Sequence, residues 1–197
     1  MLFRSLMATH DIILTGSNTT GIGLQLNGTN TLNATNGSIS LTGNSTNGTG
    51  LQLSNGTNTL NATNGSINLT GNSTNGMGID VWGGANTLNA TNGSINLTGN
   101  STNGTGLQLN GTNTLNATNG SISLTGNSTN GTGIDLEGTN ILTATGGAIS
   151  FNGTSGKSRG INICGTSNMT ATAINLTGSS TGAEGIDRKS TRLNSSH

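Results

Sequence analysis

The sequence predicts an all-β fold: a single-chain parallel β-solenoid of about 27 residues and three short strands per coil. Three observations lead there. A unit of the form GTGLQLNGTNTLNATNGSISLTGNSTN recurs along the chain. Each copy carries three apolar-x-apolar pairs, the period-two pattern of a strand. Between the pairs stand Asn-Gly, Gly-Thr and Ser-Thr-Asn, residues that suit tight turns.

The first apolar column is Leu24, Leu51, Ile79, Leu107, Ile134, Ile161 and Ile186, at spacings of 27, 28, 28, 27, 27 and 25. Its partners two places on run from Leu26 through Val81 to Ile163. The second column is Leu32, Leu60, Leu88, Leu115, Leu142 and Met169, partnered by Ala34, Ala62, Ala90, Ala117, Ala144 and Ala171. The third is Ile39, Ile67, Ile95, Ile122, Ile149 and Ile174, partnered by leucines and Phe151. Gly, Ser, Thr and Asn are poor helix interiors, and no 3.6-residue period appears. Asn-Gly between alternating segments often marks an antiparallel hairpin. Identical segments recurring every coil favour instead a parallel stack of each strand on its own copy, rising about 4.8 Å per coil. The apolar columns then line the inside, and Thr, Asn, Gln and Ser form ladders outside. The longer coils are expected to place their extra residue in a turn, at Ser54 and at Gly83-Gly84.

Composition fits such a stack and excludes much else. Asn, Thr, Ser and Gly make up about 63% of the 197 residues. Aromatics are 2% and hydrophobics 28%, too few for a conventional globular core. Random low complexity would not keep three apolar columns in register, which argues against disorder. Cys164 stands alone, so there is no disulfide framework. Net charge is zero, which gives no basic field for nucleic acid. No run approaches the roughly 18 apolar residues of a membrane span.

The register spans 6–187. LMATHDIILTG at 6–16 aligns with LNATNGSISLTG at 32–43, and EGID at 184–187 aligns with TGID at 132–135. At 27 residues per coil this segment holds about 6.7 coils. Residues 1–5 and 188–197 are read as a non-native leader and tail; the tail, RKSTRLNSSH, resembles translated adapter sequence. Within 6–187 the bases are Lys157 and Arg159, against Asp11, Asp80, Asp135, Glu137, Glu184 and Asp187, so the repeat segment is mildly acidic.

Chemistry is sparse in this pattern, and no enzyme, cofactor or metal centre is expected. Asp80, Asp135 and Asp187 share one column with Gln25, Gln52, Gln108 and Asn162. A whole coil separates Asp80 from Asp135, about 10 Å, which is no paired-carboxylate catalyst of the kind a sugar-cleaving β-helix needs. Asp135 and Glu137 share an outward face, two apart, where weak cation binding is one reading and a solvated pair the preferred one. GGANTLNA at 83–90 lacks the Asp of calcium-binding glycine-rich repeats. His10 is the one histidine of the repeat segment. Cys164 occupies a variable corner column with Asn27, Ser54, Trp82, Asn110 and Glu137, and has no base near it in sequence. Trp82, the single Trp, is the candidate for surface contact, since an exposed indole can stack on a sugar or anchor a partner. Lys157 and Arg159, in GTSGKSRGI, read as a charged turn. Asn-x-Ser/Thr triplets, Asn33, Asn36, Asn44, Asn47 and Asn61 among them, follow from composition and leave glycosylation open.

Rows such as TLNATNGSINLTGNSTNGTGLQL resemble the repeat regions of filamentous-haemagglutinin-like adhesins of two-partner secretion and of autotransporter passengers. The resemblance covers 6–187 and rests on repeat style. It implies a right-handed β-helix exported through an outer-membrane β-barrel partner to the bacterial surface. It also implies a role in attachment to cells, surfaces or biofilm through a receptor the sequence does not name. No family motif residue carries over. The alternative is a stand-alone recognition solenoid binding ice or glycan. For ice, the outward threonines Thr31/Thr35, Thr59/Thr63, Thr87/Thr91 and Thr114/Thr118 are interleaved with Asn33, Asn61, Asn89 and Asn116, and Ile141 and Asn168 interrupt the ladder.

Overall fold

Alternation along each short segment sends every second side chain inward, and the turns return the chain to the same place one coil later. The resulting architecture, a computed structural model, describes residues 5–188 and 191–195. It is a parallel β-solenoid of about seven coils, with no helix among the described residues. The first strands of the coils run Leu24–Asn27, Leu51–Ser54, Ile79–Trp82, Leu107–Leu109, Ile134–Leu136, Ile161–Ile163 and Ile186–Arg188, and form one seven-stranded sheet. The second and third strands share a 13-stranded sheet. They are separate in the early coils, as in Asn58–Ala62 and Ile67–Ser73, and merge in Thr139–Ser155 and Thr166–Ser180. Merging occurs where the corner Asn-Gly-Ser gives way to Gly146-Gly147-Ala148 and then to Thr172-Ala173. The ladder shifts register there, between Ala144 and Ala148.

Every ladder is parallel and joins equivalent residues: Leu60 to Leu88, Ile67 to Ile95, Leu51 to Ile79. Leu6 pairs with Leu32 and Ile12 with Ile39, as the shifted N-terminal alignment predicts. The three apolar columns form one continuous core, fully buried through the middle coils. The extra residues sit in the corner between first and second strands. Asn55 (φ 56°), Gly83 (φ 68°) and Gly84 (φ 67°) take left-handed conformations there, which asparagine and glycine tolerate best.

Most of the leader at 1–5, together with 189, 190, 196 and 197 of the tail, lies outside the described residues. Ser5 opens the strand Ser5–Ala8. Thr191–Ser195 pairs in parallel on the preceding coil, with Leu193 opposite Met169, so the backbone ladder runs beyond Asp187, the limit read from the sequence.

Two polar columns expected on the outside are inside. Asn30, Asn58, Asn86, Asn113 and Asn140 are buried, two residues before the leucine column and in phase with it. The first four donate Nδ2 to the Oδ1 of the next coil: Asn30 to Asn58 at 2.8 Å, Asn58 to Asn86 at 2.8 Å, Asn86 to Asn113 at 3.1 Å, Asn113 to Asn140 at 3.0 Å, and Asn140 Nδ2 donates to the Glu137 carbonyl at 2.7 Å. An amide carries both donor and acceptor, so stacked copies satisfy one another in a space closed to water. The serine that ends the third strand is likewise turned inward. Ser101 Oγ donates to Gly76 O at 2.7 Å and accepts from the Gly104 amide at 2.8 Å, and Ser73, Ser128 and Ser155 lock the same corner.

Candidate functional site

Functional side chains in such a frame must stand on the outward positions of strands or in the corners. The first strand has one outward position, between its two buried residues. From coil to coil it holds Gln25, Gln52, Asp80, Gln108, Asp135, Asn162 and Asp187. The corner that follows holds Asn27, Ser54, Trp82, Asn110, Glu137 and Cys164.

The two columns are hydrogen-bonded vertically. Gln25 Nε2 donates to Gln52 Oε1 at 2.7 Å, and Gln52 Nε2 donates to Asp80 Oδ2 at 3.0 Å. Asp80 is only 7% exposed. Burial raises its carboxyl above the ordinary value, and the Gln52 bond partly offsets this. Gln108 stands between Asp80 and Asp135, so these two carboxylates do not form a pair.

Trp82 lies at this corner, 39% exposed, beside Ser54 of the preceding coil. The corner is less uniformly open than the sequence suggests, because Ser54 is fully buried. Trp82 and Glu137 lie two coils apart, with Asn110 between them.

Asp135, Glu137 and Cys164 come together here. Glu137 and Cys164 each follow a first strand, and those strands pair Leu136 with Ile163. A carboxylate oxygen from each acid and the thiol sulfur all lie within 4.8 Å of one another. Asn162 Nδ2 donates to Asp135 Oδ1 at 2.8 Å and lies 3.7 Å from Cys164 Sγ. Asn110 Nδ2 donates to Glu137 Oε2 at 2.9 Å. Burial raises the Asp135 carboxyl; Asn162 lowers it, Glu137 raises it further and Arg159 pulls it back. Burial also raises the Cys164 thiol, and the two carboxylates push it the same way. Along the sequence the acidic pair and the cysteine stand far apart, at 135–137 and 164. The signal that joins them is their shared columns, one coil apart.

The charged turn holds an ion pair. Arg159 Nε lies 3.0 Å from Asp187 Oδ2 and 3.4 Å from Glu184 Oε2. His10 stands beside Asp11, whose Oδ1 accepts from the Ser38 amide at 2.6 Å.

Two open grooves run along the stack at the other corners. One, of about 510 Å³, follows the end of the third strands and is lined by residues such as Asn72, Thr74, Asn100 and Thr102. The other, of about 590 Å³, lies between second and third strands beside Asn89, Thr91, Asn116 and Thr118. Neither lining includes a titratable side chain. These grooves offer repeated amides and hydroxyls, a chemistry of hydrogen bonding rather than of proton transfer or nucleophilic attack.

Comparison with protein-family models, with curated proteins and with solved structures returns no match to this chain.

Proposed function

We propose that this chain is a segment of an adhesive stalk, part of a large secreted bacterial surface protein that attaches to cells, surfaces or biofilm. The observation carrying this reading is the sameness of the stack. Equivalent residues pair from coil to coil along the whole length, and the outward positions repeat Thr, Asn and Ser with little charge. A stack of this kind gains length by adding coils and derives its stability from neighbour contacts, which suits a spacer. Export through an outer-membrane β-barrel, belonging to the same or a partner chain, fits a polypeptide with no disulfide and few charges. Coil-by-coil folding outside would then draw the chain through the pore. The receptor is a host or bacterial surface molecule. Catalysis, a cofactor and nucleic-acid binding have no part in this reading.

The test is to display the chain on a non-adherent bacterium through a β-barrel carrier, then measure surface exposure and attachment. Protease-resistant display with increased attachment supports the proposal. Efficient display without any gain in attachment would remove the adhesive role and leave only a spacer.

A second reading, recognition of a linear glycan, draws on the two grooves of stacked amides and hydroxyls. Binding of a glycan panel to the purified chain separates it from the stalk. Ice binding is disfavoured, because Thr114 is followed in its ladder by Ile141 and then Asn168.

A further inference from the structure

We propose that Asp135, Glu137 and Cys164, with Asn162 beside them, form a site for a borderline-soft divalent cation of the Zn²⁺ class. The argument begins with departures from the repeat. Elsewhere the column of Asp135 holds Gln25, Gln52, Gln108 and Asn162 beside Asp80 and Asp187, and the column of Glu137 and Cys164 holds Asn27, Ser54, Trp82 and Asn110. In a chain with six acids and one cysteine, two acids and that cysteine meet at a single place on the surface. Their donor atoms already lie within 4.8 Å of one another.

Zn–S bonds of about 2.3 Å and Zn–O bonds of about 2.1 Å put tetrahedral donors roughly 3.4–3.6 Å apart. Cys164 is exposed while both acids are half-buried, and binding would draw the three donors together from their present 4.8 Å spread. The set mixes one sulfur with two carboxylates, which favours zinc or cadmium over calcium or magnesium. Asn162 already reaches both Asp135 and Cys164. Turned over, its amide presents an oxygen to the same space as a fourth donor. Asn110 holds Glu137 by one carboxylate oxygen and leaves the other for the ion. Arg159, the nearby cation, is engaged by Asp187 and Glu184. On binding, the Cys164 sulfur exchanges its proton for the metal, and the proton passes to buffer. Such an ion would clamp two successive coils together across the corner, independently of any adhesive role.

The experiment titrates the whole chain with Cd²⁺ alone and Zn²⁺ alone. The expected result is a thiolate-to-cadmium charge-transfer band saturating at one equivalent, and at least a tenfold slowing of Cys164 alkylation by Zn²⁺. Asp135→Asn and Glu137→Asn each place at their position an amide found in the same column of another coil. Each should weaken Cd²⁺ binding at least tenfold with the far-ultraviolet circular dichroism unchanged. No saturable band, or carboxylate variants that bind like the unaltered chain, would overturn the proposal; the latter would mean a thiol capturing metal by itself.

Discussion

Replacing Asn86 by alanine should destabilise the solenoid far more than its small change in volume suggests. Asn86 is 1% exposed and lies in the middle of the internal amide column. It accepts from Asn58 at 2.8 Å and donates to Asn113 at 3.1 Å. The substitution removes both bonds and leaves a donor on Asn58 and an acceptor on Asn113, residues that are fully buried. An orphaned buried polar group costs about 1–3 kcal/mol, so two give roughly 2–6 kcal/mol. The control is Asn92→Ala. Asn92 belongs to an exposed column, donating to Asn64 at 2.8 Å and accepting from Asn119 at 2.9 Å. Water can replace those partners, so the expected loss is within about 0.5 kcal/mol. Urea unfolding of the two variants, followed by circular dichroism, gives the comparison. Equal losses, or a loss below about 1 kcal/mol for Asn86→Ala, would refute the claim that the buried amides are structural.

Other substitutions test other parts of the account. Gly71→Ala puts a Cβ against the carbonyl oxygen of Gly78, at the corner between third and first strands, and should lower stability by about 1–3 kcal/mol in thermal melts. Ser101→Ala removes the corner lock to Gly76 and Gly104 and should cost about 1–2 kcal/mol, read by the same melts. Asp80 holds its proton to higher pH when folded than when unfolded, so stability falls as pH rises from the ordinary carboxylate value through the raised one, and stays lower above it. Asp80→Gln, the residue type of neighbouring coils, should therefore raise Tm at neutral pH, with the gain shrinking below the ordinary carboxylate range. An Asp80→Gln gain that grew on acidification would contradict the burial argument.

The fold was legible because its information is periodic. Leu60, Leu88 and Leu115 recur at a spacing that only parallel stacking satisfies, and the extra residues at Ser54–Asn55 and Gly83-Gly84 fall in a corner. The buried asparagines are harder to place, because residue type points outward while phase points inward. Asn58 lies two before Leu60, and alternation alone puts it inside; the amide is tolerated there only because identical amides stack above and below. Leu193 lies in a stretch unlike the repeat, yet its backbone falls in line with Met169. Trp82 stands where its column predicts, partly exposed, but an isolated indole says little about what it meets. The Asp135–Glu137–Cys164 group is not legible from distance along the chain, because a full coil of sequence separates the acids from the thiol. In a solenoid the nearest neighbour of a corner residue is its counterpart one coil away.

The stack itself is tested most directly by distances along one outward column. Thr15, Thr42, Thr70, Thr98, Thr125, Asn152 and Thr177 lie one above another on successive third strands. Spin labels can be placed pairwise on Thr15 with Thr98, Thr125 or Thr177, in a Cys164→Ser background, and measured by pulsed electron resonance. Parallel stacking predicts backbone separations of about 14, 19 and 29 Å, linear in the number of coils crossed. Separations that do not increase with coil number, or broad distributions for all three pairs, would contradict the solenoid and with it the stalk.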